Sequence, residues 1–275
     1  MDFIKAYKRI EEVLEKDNGM KDLLELYKNI LEFQKTSIKR VKFSIPTIGQ
    51  RQTYPIKKII EEISEEELSN LFNDFLRFAS LFGTEEIKKI AVGAVESKLF
   101  TPSLIKDLFV NMKEEDIPGV PPAFVHMAIF STAPALSINI KEQFSSAGDI
   151  KEDLTCCPLC GRKAQVCFLK KSEEGKRYLV CSFCYTEWPI KRDLCPNCET
   201  AEFEEHFYFF PENEKHVKVD ICENCNHYIK TVDERILDEM GETCCPLVDE
   251  IATPHIDIKL SEKGYIKVQK NIFSI

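Results

Sequence analysis

The chain has 275 residues, of which 44% are hydrophobic and 30% are charged, which is ordinary for a soluble globular protein with room for two domains. The formal net charge is −9; residues 1–150 carry 20 Lys and Arg against 23 Asp and Glu, and residues 151–275 carry 17 against 23. Neither half has the excess of basic residues that marks a DNA- or RNA-binding protein, so we expect no nucleic-acid partner.

The N-terminal half has the periodicity of amphipathic helices. Apolar residues recur at three- and four-residue spacing in the segments 3–16 and 20–38, as in helices that bury one face. Ser64, with Glu67 three residues later, forms a capping-box pattern at the start of the next helix. Thr84, followed by two glutamates, opens another.

An uncharged run over 117–140 could suggest a membrane span, but it contains four prolines. Prolines disfavour a lipid-exposed helix, so we interpret the run as a buried helix that starts at Pro121–Pro122 and is interrupted at Pro134. The segment 43–56 is predicted to be a long connection. Because the N-terminus has no apolar stretch typical of a signal peptide, we expect a cytoplasmic protein.

Near residue 150 the helical pattern gives way to short β-like runs rich in cysteine. We predict an α+β multidomain protein in which an N-terminal all-α helical domain precedes two tandem rubredoxin-like or zinc-ribbon domains. The predicted domains are 1–150, 151–190, and 191–275, the last with a C-terminal helical cover.

All 12 cysteines lie between 156 and 245, and eight of them form CxxC pairs. A CxxC turn directs two thiolates at one metal, and two such turns complete a tetrahedral shell for zinc or iron. A reducing cytosol also disfavours disulfides. The predicted ligands of two metal ions, iron or zinc, are Cys157, Cys160, Cys181, Cys184, Cys195, Cys198, Cys222 and Cys225.

The pairing of the CxxC turns is indicated by what lies between them. A strand–turn–strand pattern separates Cys160 from Cys181, and a second one separates Cys198 from Cys222. The ten residues 185–194 contain no hairpin and suit a linker. The favoured pairing is therefore 157/160 with 181/184 and 195/198 with 222/225, as in a duplicated hairpin. The alternative is one site from 181/184 with 195/198.

The other cysteines and the histidines have weaker claims. Cys167 lies in a predicted strand and is expected to be a small buried residue. The vicinal pair Cys244–Cys245 is interpreted as inert, with a reactive dithiol as the alternative. The five histidines show no ligand spacing to the CxxC turns.

The linker between the two ribbons holds the only tryptophan. Trp188 is expected to pack between the ribbons, with a partner-binding anchor as the alternative, because Trp and Arg are frequent in binding hot spots. The tentative partner-binding residues are Thr186, Glu187, Trp188 and Arg192.

No catalytic motif is found, and four thiolates per metal leave no open coordination position. We therefore expect a non-enzyme with no catalytic residues.

Four stretches, in this order, resemble the FdhE family of formate dehydrogenase accessory proteins. They are CPLCG (157–161), YLVCSFCYTEW…R…CPNC (178–198), CENCNHYIKT (222–231) and DEIATPHIDIKLSEKGY…N (249–271). The resemblance implies metal ligation by the eight paired cysteines. It also marks as family-pattern positions Thr186, Glu187, Trp188, Arg192, Tyr228, Lys230, Asp249, Thr253, Asp257, Tyr265 and Asn271. His255 and the Cys244–Cys245 pair depart from the pattern.

The resemblance further implies a cytoplasmic assembly factor, or chaperone, that binds the catalytic subunit of formate dehydrogenase. The alternatives are a rubredoxin-like one-electron carrier and a nucleic-acid-binding zinc-ribbon protein. A homodimer is also possible.

Overall fold

A computed structural model describes residues 2–40, 55–111, 117–144 and 154–275. The segment 145–153 around the predicted boundary and most of the predicted connection 43–56 lie outside the described residues. Contacts group the chain into two compact units: 1–24 with 149–271 and 275, and 25–148 with 272–274.

Helices dominate the first part of the chain. They are α1 (Phe3–Lys16), α2 (Lys21–Arg40), α3 (Pro55–Glu62), α4 (Glu65–Phe82), α5 (Glu85–Glu96), α6 (Pro102–Asn111) and α7 (Pro122–Phe144). The predicted caps are present: the Ser64 hydroxyl accepts from the Glu67 N–H while the Glu67 carboxylate accepts from the Ser64 N–H, and Thr84 caps α5. In the second unit, α4 packs against α5, α6 and α7.

Pro134 lies inside α7 without ending the helix, so the predicted interruption is wrong. Proline removes one backbone donor, and nearby hydroxyls bond other carbonyls of the same turns. Thr132 Oγ1 donates to the Ala128 carbonyl at 2.8 Å and Ser137 Oγ donates to the Ala133 carbonyl at 2.7 Å. The middle of α7 is buried, as predicted. None of the described helices is long and apolar enough to cross a membrane.

The cysteine-rich part forms one seven-stranded sheet in the order β3-β2-β1-β6-β5-β4, with β7 beside β6. The strands are β1 (Ala164–Lys170), β2 (Lys176–Cys181), β3 (Glu187–Pro189), β4 (His206–Phe209), β5 (Val217–Cys222), β6 (His227–Asp233) and β7 (Ile266–Lys267). The predicted hairpins are β1–β2 and β4–β5. Strand β6 lies antiparallel to β5 and parallel to β1, with Cys167 opposite Thr231.

The predicted fold class is confirmed: a helical N-terminal region precedes a region with two four-cysteine clusters. Two details differ from the prediction. The linker contributes strand β3, and the parallel β1–β6 pair joins both ribbons into one sheet.

Three short helices cover this sheet, as expected for the C-terminal segment: α8 (Glu234–Glu239), α9 (Pro246–Ile251) and α10 (Pro254–Glu262). Helix α1 belongs to the same unit, whereas the sequence placed it in a domain 1–150. Arg9 on α1 is buried and donates to Asp249 on α9 at 2.7 Å, which explains this grouping. The three predicted domains 1–150, 151–190 and 191–275 stay a prediction.

Candidate metal centres

The four CxxC turns share one local geometry. In each turn, the residue after the second cysteine has a left-handed backbone, which reverses the chain beneath the two sulfurs. These residues are Gly161 (φ 77°), Tyr185 (φ 54°), Glu199 (φ 67°) and Asn226 (φ 56°). The first cysteine of three turns also donates its N–H to a carbonyl five residues ahead: Cys157 to Arg162 at 2.7 Å, Cys181 to Thr186 at 2.9 Å and Cys195 to Thr200 at 2.8 Å.

The eight cysteines come together in the two groups that the spacing favoured. The first cluster is Cys157, Cys160, Cys181 and Cys184, and the second cluster is Cys195, Cys198, Cys222 and Cys225. Within each cluster all the sulfurs lie within 4.8 Å of one another. The structure therefore does not bring Cys181 and Cys184 together with Cys195 and Cys198, which was the alternative pairing.

The sulfur separations fit a tetrahedral shell. In the first cluster the sulfurs of Cys157 and Cys184 are 3.5 Å apart. In the second cluster the sulfurs of Cys195 and Cys225 are 3.8 Å apart. A tetrahedron with metal–sulfur bonds of about 2.3 Å has sulfurs separated by about 3.8 Å. The donor set thus fits zinc or iron and does not distinguish between them.

The two clusters differ in their access to solvent. All four cysteines of the first cluster are buried, whereas Cys198 and Cys225 of the second are partly exposed. Polar groups surround the sulfurs in both. The Thr186 hydroxyl lies 3.1 Å from the Cys184 sulfur, and the Asn224 amide donates to the Cys198 sulfur at 3.5 Å. Such contacts stabilise thiolates and orient them.

Hydrogen bonds and burial raise the pKa of Cys160, Cys181, Cys195 and Cys222 when no cation is bound, whereas hydrogen bonds lower the pKa of Cys184 and Cys198. Burial raises the pKa of Cys195 to about 11 and also raises the pKa of Cys181. Cys198 is the exception in the second cluster: although burial opposes it, the Thr200 N–H and the Asn224 amide lower its pKa to about 7. Metal binding must displace the remaining protons, so loading of both clusters should release protons.

Two adjacent cations lie beside the clusters. The Arg162 guanidinium stacks 4.0 Å over the Phe183 ring. Burial lowers the pKa of Arg162, while negative charge on the first-cluster thiolates acts to raise it. Lys163 donates to the carbonyls of Pro196 and Asn197 at 2.9 and 3.1 Å, within the first turn of the second cluster. This short segment therefore contacts both centres.

The tentative partner-binding residues divide into buried and exposed ones. Trp188 has no exposed surface, lies opposite Leu179 in the sheet, and donates its ring N–H to the Leu154 carbonyl at 2.7 Å. Thr186 is buried beside the first cluster. These two side chains support the first ribbon and are buried, which favours a packing role, and the anchor interpretation stays a prediction. Glu187 and Arg192 are exposed, and their role in partner binding stays a prediction.

Several family-pattern positions lie in a buried polar network instead of on the surface. The Lys230 ammonium has no exposure and donates to Asp257 Oδ2 at 2.6 Å and to the Thr253 hydroxyl at 3.1 Å. The Tyr228 hydroxyl donates to the other Asp257 oxygen at 2.9 Å. Buried charges are retained only when paired and hydrogen-bonded, so these residues hold α10 against β6.

Sequence reasoning missed the partners that complete this network. Glu250 lies 3.2 Å from the Lys230 ammonium, accepts from the Gln165 amide at 2.6 Å, and is also paired with Lys267. Although burial alone would raise its pKa, the two ammonium charges lower the pKa of Glu250 to about 2. A lysine within the apolar strand around 227–233 was the available signal that a buried acid lies opposite.

Asp249, another family-pattern position, fixes α1. It accepts from Arg9, which also donates to Glu242 at 2.5 Å. Burial acts to lower the pKa of Arg9, but the two carboxylates raise it above its ordinary value. Tyr265 packs at the apolar core around Val219.

Three of the remaining cysteines behave as inert residues. Cys167 is fully buried, and burial raises the pKa of its thiol. Burial likewise raises the pKa of Cys245 to about 12 and that of Cys244 well above its ordinary value. These thiols stay protonated at neutral pH, which favours the inert interpretation of the vicinal pair. The pair borders a cavity of about 280 Å³.

Comparison with known proteins gives a consistent assignment. The profile "FdhE, central domain" matches residues 156–192, and "FdhE, C-terminal domain" matches residues 194–273. The FdhE homolog of Aquifex aeolicus is 36% identical over 42% of this chain and 40% of that relative. The Haemophilus ducreyi homolog is 23% identical over 98% of this chain and 88% of that relative. FdhE of Escherichia coli K12 is 23% identical over 78% of this chain and 85% of that relative.

The fold has a counterpart among solved structures. The crystal structure of the FdhE protein from Pseudomonas aeruginosa superposes with a TM-score of 0.69 at 18% identity, covering 99% of this chain and 95% of that one. At this identity the likeness shows the fold.

Proposed function

Because the chain is a member of the FdhE family, we propose that it is a non-enzymatic assembly factor that binds the catalytic subunit of formate dehydrogenase in the cytoplasm. The observation that carries this proposal is the joining of two four-cysteine clusters through one sheet. Such a sheet offers a docking platform whose ends at the CxxC turns would be held by metal.

The donor sets support a structural role for the metals. Each cluster supplies four thiolates, which fill a tetrahedral shell and leave no position for a substrate. The eight cysteines would hold two ions of iron or zinc, with Thr186 and Asn224 bonding the sulfurs of Cys184 and Cys198.

Binding of the purified catalytic subunit tests the proposal. Metal-loaded protein is titrated with that subunit by calorimetry, and we expect saturable binding at micromolar concentration or below. The matched control is the same chain stripped of metal, in which the docking platform and the binding are lost together. Absence of binding with both clusters loaded would overturn the proposal.

The partial exposure of Cys198 and Cys225 favours a one-electron carrier as the second candidate. If iron occupied the second cluster, it would supply ferrous–ferric chemistry within electron-transfer reach of the surface. An absorption spectrum after iron-replete expression tests this candidate. Visible ferric–thiolate bands that bleach reversibly on reduction would support it, and a colourless protein with stoichiometric zinc would exclude it. The predicted homodimer is tested by light scattering of the purified protein.

A further inference from the structure

Strand β4 is an edge of the sheet in the described residues, and four consecutive aromatic residues are exposed there, three in the strand and Phe210 directly after it. The exposed fractions are 48% for Phe207, 44% for Tyr208, 44% for Phe209 and 64% for Phe210. Because successive side chains of a strand point to opposite faces, both faces of this strand are partly exposed among the described residues. We call residues 207–210 the aromatic edge. Residues 207–210 themselves carry none of the charge that normally protects an edge strand, so this exposed aromatic surface indicates a binding surface.

The backbone of the aromatic edge is oriented for pairing. The Glu223 N–H donates to the Glu205 carbonyl at 2.8 Å, so these two residues form a hydrogen-bonded pair. Hydrogen-bonded and non-hydrogen-bonded pairs alternate along antiparallel strands. The backbone groups of Phe207 and Phe209 therefore face β5, and those of Tyr208 face outward. An added strand would find its donors and acceptors at Tyr208.

The charge around the aromatic edge selects the kind of partner. Residues 199–214 contain six glutamates and no lysine or arginine. The rings also attract cations: the Lys218 ammonium lies 4.3 Å from the centre of the Tyr208 ring. Arginine combines a positive charge with a planar group that stacks on aromatic faces. The surface thus fits an extended segment that carries arginine beside apolar side chains.

We propose that the aromatic edge binds an extended, arginine-containing segment of a partner protein, which adds to β4 as a further strand. The inference deepens the proposed function and rests on it only for the identity of the partner. A second copy of this chain fits less well, since pairing β4 with β4 would bring the exposed Glu202, Glu204 and Glu212 of both copies near one another. Nucleic acid fits less well because the glutamates repel phosphates.

The probe is a fluorescent ten-residue peptide of alternating arginine and valine, titrated into the full-length, metal-loaded protein and followed by anisotropy. We expect saturable binding that weakens with salt. A peptide with glutamate in place of arginine should not bind. Preferential binding of a single-stranded oligonucleotide, or a dimer that the peptide does not dissociate, would overturn the inference.

Three variants separate the contributions of strand pairing, the aromatic ring and the glutamate charges to peptide binding. Tyr208→Pro removes a donor that faces away from β5, so the sheet is retained while peptide affinity falls at least tenfold. Tyr208→Ala keeps the donor and loses the ring, so we expect a smaller loss of about threefold to tenfold. The triple variant Glu202→Gln, Glu204→Gln, Glu212→Gln should weaken binding about tenfold and flatten its salt dependence. Wild-type affinity of Tyr208→Pro, with metal content intact, would contradict the inference.

Co-purification keeps the two proposals distinguishable. If the catalytic subunit of formate dehydrogenase binds wild-type protein and Tyr208→Pro equally, the proposed function stands and the docking surface is wrong. If the peptide binds and the catalytic subunit does not, the aromatic edge stands and its client is a different protein.

Discussion

Replacement of Lys230 by methionine probes the buried network that holds the C-terminal helices on the sheet. Methionine fills a similar volume but removes an ammonium group that lies 2.6 Å from Asp257 Oδ2 and 3.2 Å from Glu250 Oε1. Both carboxylates are buried and would keep Lys267 as their remaining cation. Breaking a buried ion pair by removing one partner costs about 3–5 kcal/mol of unfolding free energy. This is a large share of the roughly 5–15 kcal/mol by which domains are stable.

Trp188 provides the assay. It is the only tryptophan and is fully buried in the same unit, so its fluorescence reports unfolding there. Urea titrations at pH 7 and a fixed excess of zinc should show Lys230→Met less stable by about 3–5 kcal/mol. The matched control is Lys259→Met on the exposed face of α10, for which we expect a change below about 0.5 kcal/mol.

A double-mutant cycle of Lys230→Met with Asp257→Asn distinguishes loss of the ion pair from a general packing defect. If the ammonium and the carboxylate stabilise each other, the double variant should be more stable than the sum of the single losses predicts, by about 1 kcal/mol or more. A loss below about 1 kcal/mol for Lys230→Met, or strictly additive losses, would refute the network as a source of stability.

Further predictions concern the metal centres, acid stability and helix capping. Cys184→Ser and Cys198→Ser should each lower the metal content from two ions to one. A chelator should remove the remaining ion faster from Cys184→Ser, because only the partly exposed second cluster is loaded in that variant. Equal release rates in the two variants would contradict the assignment of the eight cysteines to a buried and a partly exposed cluster. Lys230 and Lys267 lower the pKa of Glu250 from its ordinary 4.5 to about 2 in the folded protein. The resulting stabilisation of about 3 kcal/mol is present above pH 4.5 and is lost as the pH falls toward 2. Glu250→Gln should therefore make the urea midpoint depend less on pH over that range, and an unchanged pH dependence of the midpoint would contradict this prediction. Ser64→Ala removes the capping box of α4 and should lower stability by about 1 kcal/mol in thermal unfolding, whereas Ser80→Ala in the last turn of α4 should change it less.

Local signals in the sequence predicted local structure well. Ser64 and Thr84 cap the helices that their patterns indicated, because a cap involves groups only two or three residues apart. The CxxC spacing, with the hairpin patterns between the turns, likewise predicted which sulfurs lie together. The predicted interruption of α7 at Pro134 was wrong. Burial keeps this segment helical although Pro134 lacks a backbone N–H, and that burial comes from the surrounding fold and not from the helix itself.

Long-range partners left little trace in the sequence. Arg9 binds Asp249 across 240 residues, and nothing in the periodicity of α1 distinguishes this arginine from its exposed neighbours. The parallel register of β1 with β6 joins strands that no short turn connects, so no local pattern in the sequence indicates it. Trp188 was predicted to pack between the ribbons, whereas it lies in β3, which pairs with β2 of the first ribbon. A strand of only three residues carries no alternating pattern that would indicate this position.

The parallel pairing of β1 with β6 also sets an order of events during synthesis. Cys167 in β1 lies opposite Thr231 in β6, which the ribosome adds 64 residues later. The first hairpin is complete only at Cys181, 50 residues before Thr231, so at about 5–20 residues per second it exists for roughly 2.5–10 seconds before the strand that covers its edge is made. During that interval the nascent chain presents an unpaired apolar strand and the thiols of an incomplete sheet. Metal capture by the first cluster would occupy its four thiols during that interval, but the edge of β1 stays open until β6 is made.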